Sequence, residues 1–193
     1  MNKMNNMWGT SLGLLASYLL GSVPSGYLAS KLLGKKDPRF VGSGNVGTMN
    51  VLRNVGVAPG LVTMGLDVGK GALAAALCIR LAGPSWSWSA FPLTVLAHNW
   101  MPWLGFRGGK GIAVAVGALA VLHMPMALAF LLVLALLAAV LRNADLASSL
   151  AFAFLVVAAW ACRGSPAQVL ASAAALGIHL VRVSPDLRVS RRP

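Results

Sequence analysis

The sequence predicts an all-α integral membrane protein: a polytopic bundle of about seven transmembrane helices, N-terminus outside and C-terminus cytoplasmic. Three observations carry this expectation. The chain is 58% hydrophobic and only 10% charged, whereas soluble domains carry about 25% charged residues. Its mean hydropathy is +0.75. Its basic residues stand singly or in short groups between apolar runs, as juxtamembrane charges do. Lys+Arg 16 against Asp+Glu 4 gives a net charge of +12. No sustained basic face accompanies it, which excludes nucleic acid as a partner.

The runs follow in order. A membrane-spanning helix needs about 20 apolar residues, fewer inside a bundle. The first stretch, 8–33, carries Pro24, Ser25 and Gly26 near its end. It is longer than a signal-peptide core of roughly 7–15 residues and is expected to be retained. The second, 57–82, contains Asp67 and Lys70. After a turn over Pro84–Ser89 come shorter stretches at 90–104 and 112–122, then 126–141, 146–161 and 169–181. His123 and Pro125 separate the fourth stretch from the fifth. If that proline only kinks a helix, the count falls to six. No repeat or soluble domain interrupts the set, so residues 1–193 form a single membrane domain. Cys78 and Cys162 fall in apolar runs and read as small buried residues.

Charge placement orients the bundle. With seven crossings, one side carries Lys31, Lys35, Lys36, Arg39, Arg53, Arg107, Lys110, Arg142, Arg182, Arg188, Arg191 and Arg192. The other carries Lys3, Arg80 and Arg163. The positive-inside rule puts the first group in the cytoplasm, and six crossings would weaken that bias. The side that carries the first group is thus the expected cytoplasmic face.

Two polar stretches stand out on that face. The stretch Val41–Arg53, VGSGNVGTMNVLR, packs glycines, hydroxyls and amides ahead of an arginine. Glycine exposes backbone N–H groups, and the arginine adds a charged fork, a combination suited to phosphate. Taken alone, the stretch equally fits a flexible polar loop. Gly42–Gly47 fits G-x-G-x-x-G, but a dinucleotide site needs a preceding strand, and here a hydrophobic helix precedes it. The second stretch, FRGGKGIA at 106–113, is not a Walker A loop, because Gly111 stands where Ser or Thr belongs. Lys110 nevertheless follows two glycines and precedes an apolar helix, whose N-terminal N–H groups and dipole attract anions. The substrate-binding candidates are Ser43, Gly44, Asn45, Asn50, Arg53, Gly108, Gly109, Lys110 and Gly111.

Asp67 and Lys70 share a helical face and read as a structural ion pair, with Lys70 able to snorkel to the headgroups. His98 lies beside Asn99 and Trp100 near Lys110. His123 falls on the opposite side, and His179 lies in the last stretch. No carboxylate stands near these histidines in sequence to complete a triad, and four acids supply no metal cage.

With these residues in hand, the chain resembles the PlsY-type membrane acyltransferases. The matching stretches are GSVPSGYLASK from Gly21, VGSGNVG with its NVLR tail, LDVGKGALA from Leu66, and AHNWMPWLGFRGGKGIA from Ala97. The resemblance implies seven helices and transfer of a fatty acyl group from acyl phosphate to glycerol 3-phosphate, giving lysophosphatidic acid. It implies membrane lipid as surroundings and no metal, coenzyme A or other cofactor. The oligomeric state stays open and is compatible with a monomer. By resemblance Ser43, Arg53 and Lys110 hold phosphate, and the catalytic candidates are Lys110, Ser148 and His98. The departing phosphate assists deprotonation of the acceptor hydroxyl.

The chain departs from the pattern in places. Thr48 and Met49 replace Ala and Thr, and Asp145 and Ser148 occupy the family's Ser-Leu-x-Ser. The family's Arg-His-x-x-Asn can be matched in two registers. One, on Arg182, places Val183 and Asp186 at the His and Asn positions. The other, on His179, places Arg182 at the Asn position. These departures keep open a non-catalytic or altered-acceptor relative that binds acyl phosphate or lipid phosphate. A small-solute transporter is a third alternative.

Overall fold

The computed structural model describes residues 3–34 and 36–189. Lys35, Arg191 and Arg192, and the side chains of Lys3, Asp186 and Arg188, lie outside the described residues. The first helix, α1 (Lys3–Ser22), stops at Val23–Pro24, and α2 (Ser25–Ala29) runs on into a π-helical turn at Ser30–Gly34. Pro24 has no N–H to continue the ladder. A short 3-10 turn at Pro38–Phe40 leads through the first glycine loop to α3 (Thr48–Asn54) and α4 (Val57–Ala82). Next come α5 (Pro84–Ser87), α6 (Ala90–Asn99) and a 3-10 turn at Pro102–Leu104. The second glycine loop then opens α7 (Ile112–Leu122), followed by α8 (Met124–Leu141), α9 (Ala144–Ala161) and α10 (Pro166–Val189).

Among the described residues, five helices are long and apolar enough to cross a membrane: Met7–Gly34, Val57–Ala82, Met124–Leu141, Ala144–Ala161 and Pro166–Pro185. The remaining two are short. At about 1.5 Å per residue, α6 and α7 reach roughly half of a bilayer core of about 30 Å. They sit inside the bundle rather than facing lipid along their length: Ala90, Phe91, Val95 and Ala97 of α6 are fully buried, as are Val114, Ala115, Ala118 and Leu119 of α7. By contrast α8 leaves Leu128, Leu132, Leu136 and Val140 exposed at four-residue spacing, a stripe on one helical face that suits lipid.

Helix α4 is the hub, packed against α1, α3 and α7. Its buried face is made of small residues, Gly71, Ala74, Ala75, Cys78 and Ala82, which let neighbouring backbones approach closely. A Cβ at Gly71 would meet the Val114 carbonyl oxygen at 2.2 Å, and one at Gly117 would meet that of Val68 at 1.9 Å. An aromatic cluster closes the other half. Phe152 of α9 stacks on Phe91 and meets Phe130 of α8 edge-on at 5.1 Å. Helices α7 and α8 pack against one another, so the chain reverses at His123, whose ring accepts from the Met126 N–H at 3.2 Å.

Two sequence expectations change here. Cys162 is exposed at the end of α9, because the helix finishes there; Cys78 is buried. Lys70 does not snorkel. Its ammonium lies 2.8 Å from Asp67 Oδ1 and donates to the Val23 carbonyl at 2.8 Å and to Ser25 Oγ at 3.0 Å. Ser25 Oγ in turn donates to Asp67 at 2.6 Å. The charged pair therefore satisfies a carbonyl beside the Pro24 break, where lipid offers no donor.

The α4–α7 contact yields a test. Gly117→Ala must push the helices apart, and overpacking of this kind costs about 1–3 kcal/mol. The thermal unfolding midpoint in detergent is expected to fall relative to the wild type.

Candidate active site

The first loop is built around one side chain. Asn50, in the first turn of α3, points its Nδ2 at the carbonyls of Pro38, Val41 and Asn45, at 3.0, 3.1 and 2.7 Å. Its Oδ1 accepts from the Ser43 N–H at 3.0 Å and from Asn54 Nδ2 at 2.9 Å. Asn45 Oδ1 accepts from the Gly47 N–H at 2.6 Å. Both side-chain amides are thus engaged within the loop itself. Ser43 is exposed, and Gly44 donates its N–H to the Val41 carbonyl. Arg53 is exposed in the last turn of α3. Among the described residues no hydrogen bond or ion pair ties it to either loop.

The second loop is pinned from below and from the side. Gly109 donates its N–H to the His98 carbonyl at 3.0 Å. Its Cα lies so close to the His98 ring that a Cβ would fall 1.9 Å from Nε2, so only glycine fits. Arg182 of α10 donates from Nε to the Gly109 carbonyl at 3.0 Å and from Nη2 to that of Gly108 at 3.1 Å. His179 Nδ1 lies 3.0 Å from the Lys110 carbonyl. Gly111 caps α7 in the left-handed conformation. The two loops meet, since a Cβ on Gly47 would lie 3.7 Å from Gly109 Cα.

Lys110 forms an ion pair with Asp145, in the first turn of α9. One turn further, Ser148 Oγ lies 3.0 Å from His179 Nε2 and 3.1 Å from the Asp145 carbonyl. A carbonyl only accepts, so a neutral ring carries its proton on Nδ1, toward Lys110, and the single Ser148 hydroxyl proton is then shared between Nε2 and the Asp145 carbonyl. Phe152 stacks on the same ring at 4.5 Å between centroids. Beneath the loop, His98 is buried with Nδ1 3.7 Å from Asp67 Oδ1, linking the loop to the pair that seals the Pro24 break.

Beside both loops, Arg39 forms a bidentate bond to Asp37, with Nε–Oδ1 at 3.0 Å and Nη2–Oδ2 at 2.7 Å. Hydrogen bonds from this guanidinium hold the Asp37 carboxyl below its ordinary range. A surface cavity lined by Arg39, Phe40, Trp103, Leu104, Gly105 and Arg107 opens between the starts of the two loops.

The structure therefore brings Gly47, His98, Gly108, Gly109, Lys110, Ser148, His179 and Arg182 into one end of the bundle. Sequence spacing missed two contacts there. The first is the Lys110–Asp145 pair, which joins residues 35 apart in sequence. The second is the Ser148–His179 bond. Of the two registers for the C-terminal motif, only the one on His179 places a histidine beside Ser148; Val183 is buried apolar packing. A His followed three residues later by Arg182 was the available signal.

Fold and site define an all-helical, multi-pass integral membrane protein whose polar chemistry is gathered in two facing glycine loops at one end. The glycerol-3-phosphate acyltransferase family model matches residues 11–189, and the chain belongs to that family. A glycerol-3-phosphate acyltransferase of Thermosynechococcus vestitus is 47% identical over 150 residues, 71% of each chain. Glycerol-3-phosphate acyltransferase 2 of Dehalococcoides mccartyi is 35% identical over 189 residues, 96% of this chain and 89% of its own. Among solved structures, PlsY (YgiH), an integral membrane glycerol 3-phosphate acyltransferase, superposes in its glycerol 3-phosphate form with a TM-score of 0.85. That match has 29% identity and covers 93% of this chain and 90% of the other. Its lysophosphatidic acid form gives a TM-score of 0.81.

The Asn50 network gives a second test. Asn50→Ala removes the donor shared by three loop carbonyls, and each buried group left unpaired costs about 1–3 kcal/mol. Amide hydrogen exchange over residues 41–47 is expected to speed up while that of α4 and α7 stays unchanged.

Proposed function

We propose that this chain transfers a fatty acyl group from acyl phosphate to the free hydroxyl of glycerol 3-phosphate, releasing lysophosphatidic acid and inorganic phosphate. The reaction takes place on the cytoplasmic face of a bacterial-type plasma membrane. Family membership supports the activity. The observation that carries the site is the meeting of Gly47 and Gly109 beside Lys110 at the N-terminus of α7.

The chemistry asks little of a covalent catalyst. Acyl phosphate is a mixed anhydride. The acceptor oxygen bonds to the acyl carbon, the acyl carbon–phosphate oxygen bond breaks, and the hydroxyl proton leaves with the phosphate. The protein's task is to hold two phosphates and neutralise them. Lys110 supplies charge, and the N-terminal N–H groups of α7 with Gly108, Gly109 and Gly111 supply a positive concavity. Ser43, Gly44 and Arg53 do the same from the first loop. Asn45 and Asn50 act by shaping that loop, and His98 acts through the carbonyl that fixes Gly109. The Ser148–His179 bond orients the acceptor end. The convergence of both loops, Asp145 and Arg182 at one end supports seven crossings, and the bias of basic residues toward that end supports its facing the cytoplasm.

A specific observation favours a second reading, an altered acceptor. Arg182 stands at the position of the family's Asn and spends two donors on loop carbonyls rather than presenting an amide.

Purified protein given acyl phosphate and glycerol 3-phosphate is expected to form lysophosphatidic acid. Lys110→Ala and Arg53→Ala each lower turnover by about 100-fold or more, with membrane insertion intact. No product with glycerol 3-phosphate, but product with another phosphorylated polyol, would move the assignment to the altered acceptor. No product with any of them would reject the enzymatic function.

A further inference from the structure

Two of the lysine–aspartate pairs among the described residues have opposite surroundings. Asp67–Lys70 is sealed, with side-chain exposures of 2% and 6%, and both partners have further hydrogen bonds that hold them. Lys110–Asp145 is open, at 24% and 19%. The open pair sits where Lys110 is proposed to meet phosphate. The backbone around Lys110 is fixed, its own carbonyl by His179 and that of Gly109 by Arg182. Asp145 is a side-chain partner of Lys110 that an incoming anion can replace.

Asp145 is also not needed for the usual task of an acid in a first helical turn. Asn143 already caps α9, its Oδ1 accepting from the N–H groups of Asp145 and Leu146 at 3.1 and 3.0 Å. Ser148 and Ser149 bond to the Asp145 carbonyl rather than to its carboxylate. The carboxylate is therefore directed to Lys110.

We infer that Asp145 is the resident counter-ion of Lys110, a carboxylate that occupies the phosphate position of the empty site and must be displaced by each phosphate that binds. It thereby sets the affinity of the site for phosphate, lowering it and speeding release of the inorganic phosphate product. A partly exposed pair is worth little in net stability, so phosphate displaces it readily; the sealed Asp67–Lys70 pair would resist. This inference rests on the reading of Lys110 as a phosphate ligand.

The opposite role is a clamp in which Asp145 holds Lys110 in position for phosphate. The two roles differ in sign. Inorganic phosphate serves as the probe, read as an inhibitor of acyl transfer competing with the phosphorylated substrates. With Asp145 as competitor, Asp145→Asn and Asp145→Ser tighten phosphate inhibition by about fivefold, the scale expected for an exposed pair. The KM for glycerol 3-phosphate falls with it. Asp145→Glu, which keeps the charge, stays close to the wild type. Thermal unfolding in detergent verifies that each variant is folded. Should both neutral variants misfold, Asp145→Glu set against Asp145→Gln repeats the comparison at matched length. Unchanged or weaker phosphate inhibition in the folded neutral variants overturns the inference. Lys110→Ala separates the two levels. If it leaves phosphate binding intact, by thermal shift with phosphate, the reading of Lys110 fails. If it abolishes that binding while the Asp145 variants do not tighten it, only the role of Asp145 fails.

Discussion

Apolar surroundings cannot satisfy a bare backbone N–H or C=O, and that constraint governs this protein from the first helix to the last. Where the chain leaves a regular helix at Pro24 and at the glycine loops, particular side chains or carbonyls answer the freed groups. The Val23 carbonyl beside Pro24 receives the Lys70 ammonium. The carbonyls of Gly108 and Gly109 receive the two arms of Arg182, that of Lys110 faces His179 Nδ1, and the Gly109 N–H finds the His98 carbonyl. Asn50 does the same service for three carbonyls of the first loop. Irregular backbone at the candidate site is thus held in one shape, as the proposed phosphate recognition by N–H groups would require.

The same residues couple the site to the scaffold. His98 touches Gly109 above and approaches Asp67 below, and Asp67 is bound to Lys70 and Ser25. A run of contacts therefore leads from the break after α1, through α4 and α6, to the second glycine loop. From the far side α9 and α10 close on that loop through Ser148, His179 and Arg182, with Phe152 stacked on the His179 ring. Small residues on α4 and α7 make the central packing close enough for these long-range contacts to form. Charge is divided in kind: the Asp67–Lys70 pair is locked in the interior as structure, and the Lys110–Asp145 pair is left open at the second glycine loop.

Much of the candidate site was legible because its signals are local. Glycine runs next to Lys110, and amides packed between Gly42 and Arg53, point to anion binding through backbone N–H groups wherever they occur. The contacts that complete the site were not local. Nothing in the neighbourhood of Ser148 announces His179, which lies 31 residues away, and only the packing of α9 on α10 joins them. Asn50 and Asn45 read as ligand amides from their company, yet the loop's own backbone engages both, Asn50 through three carbonyls and the Ser43 N–H, Asn45 through the Gly47 N–H. A sequence does not reveal which donors its turns will need.

By itself, then, the sequence determined the membrane class, the apolar runs, the two glycine loops and the family resemblance, because composition and short motifs act over a few residues. The tertiary structure decided how those runs are used. It broke the first at Pro24, kept α6 and α7 as short interior helices, chose His179 over Val183 as the histidine beside Ser148, and set Asp145 against Lys110. Each of those outcomes depends on which helix faces which, and that follows from close packing around small residues and from satisfying buried polar groups over long sequence separations.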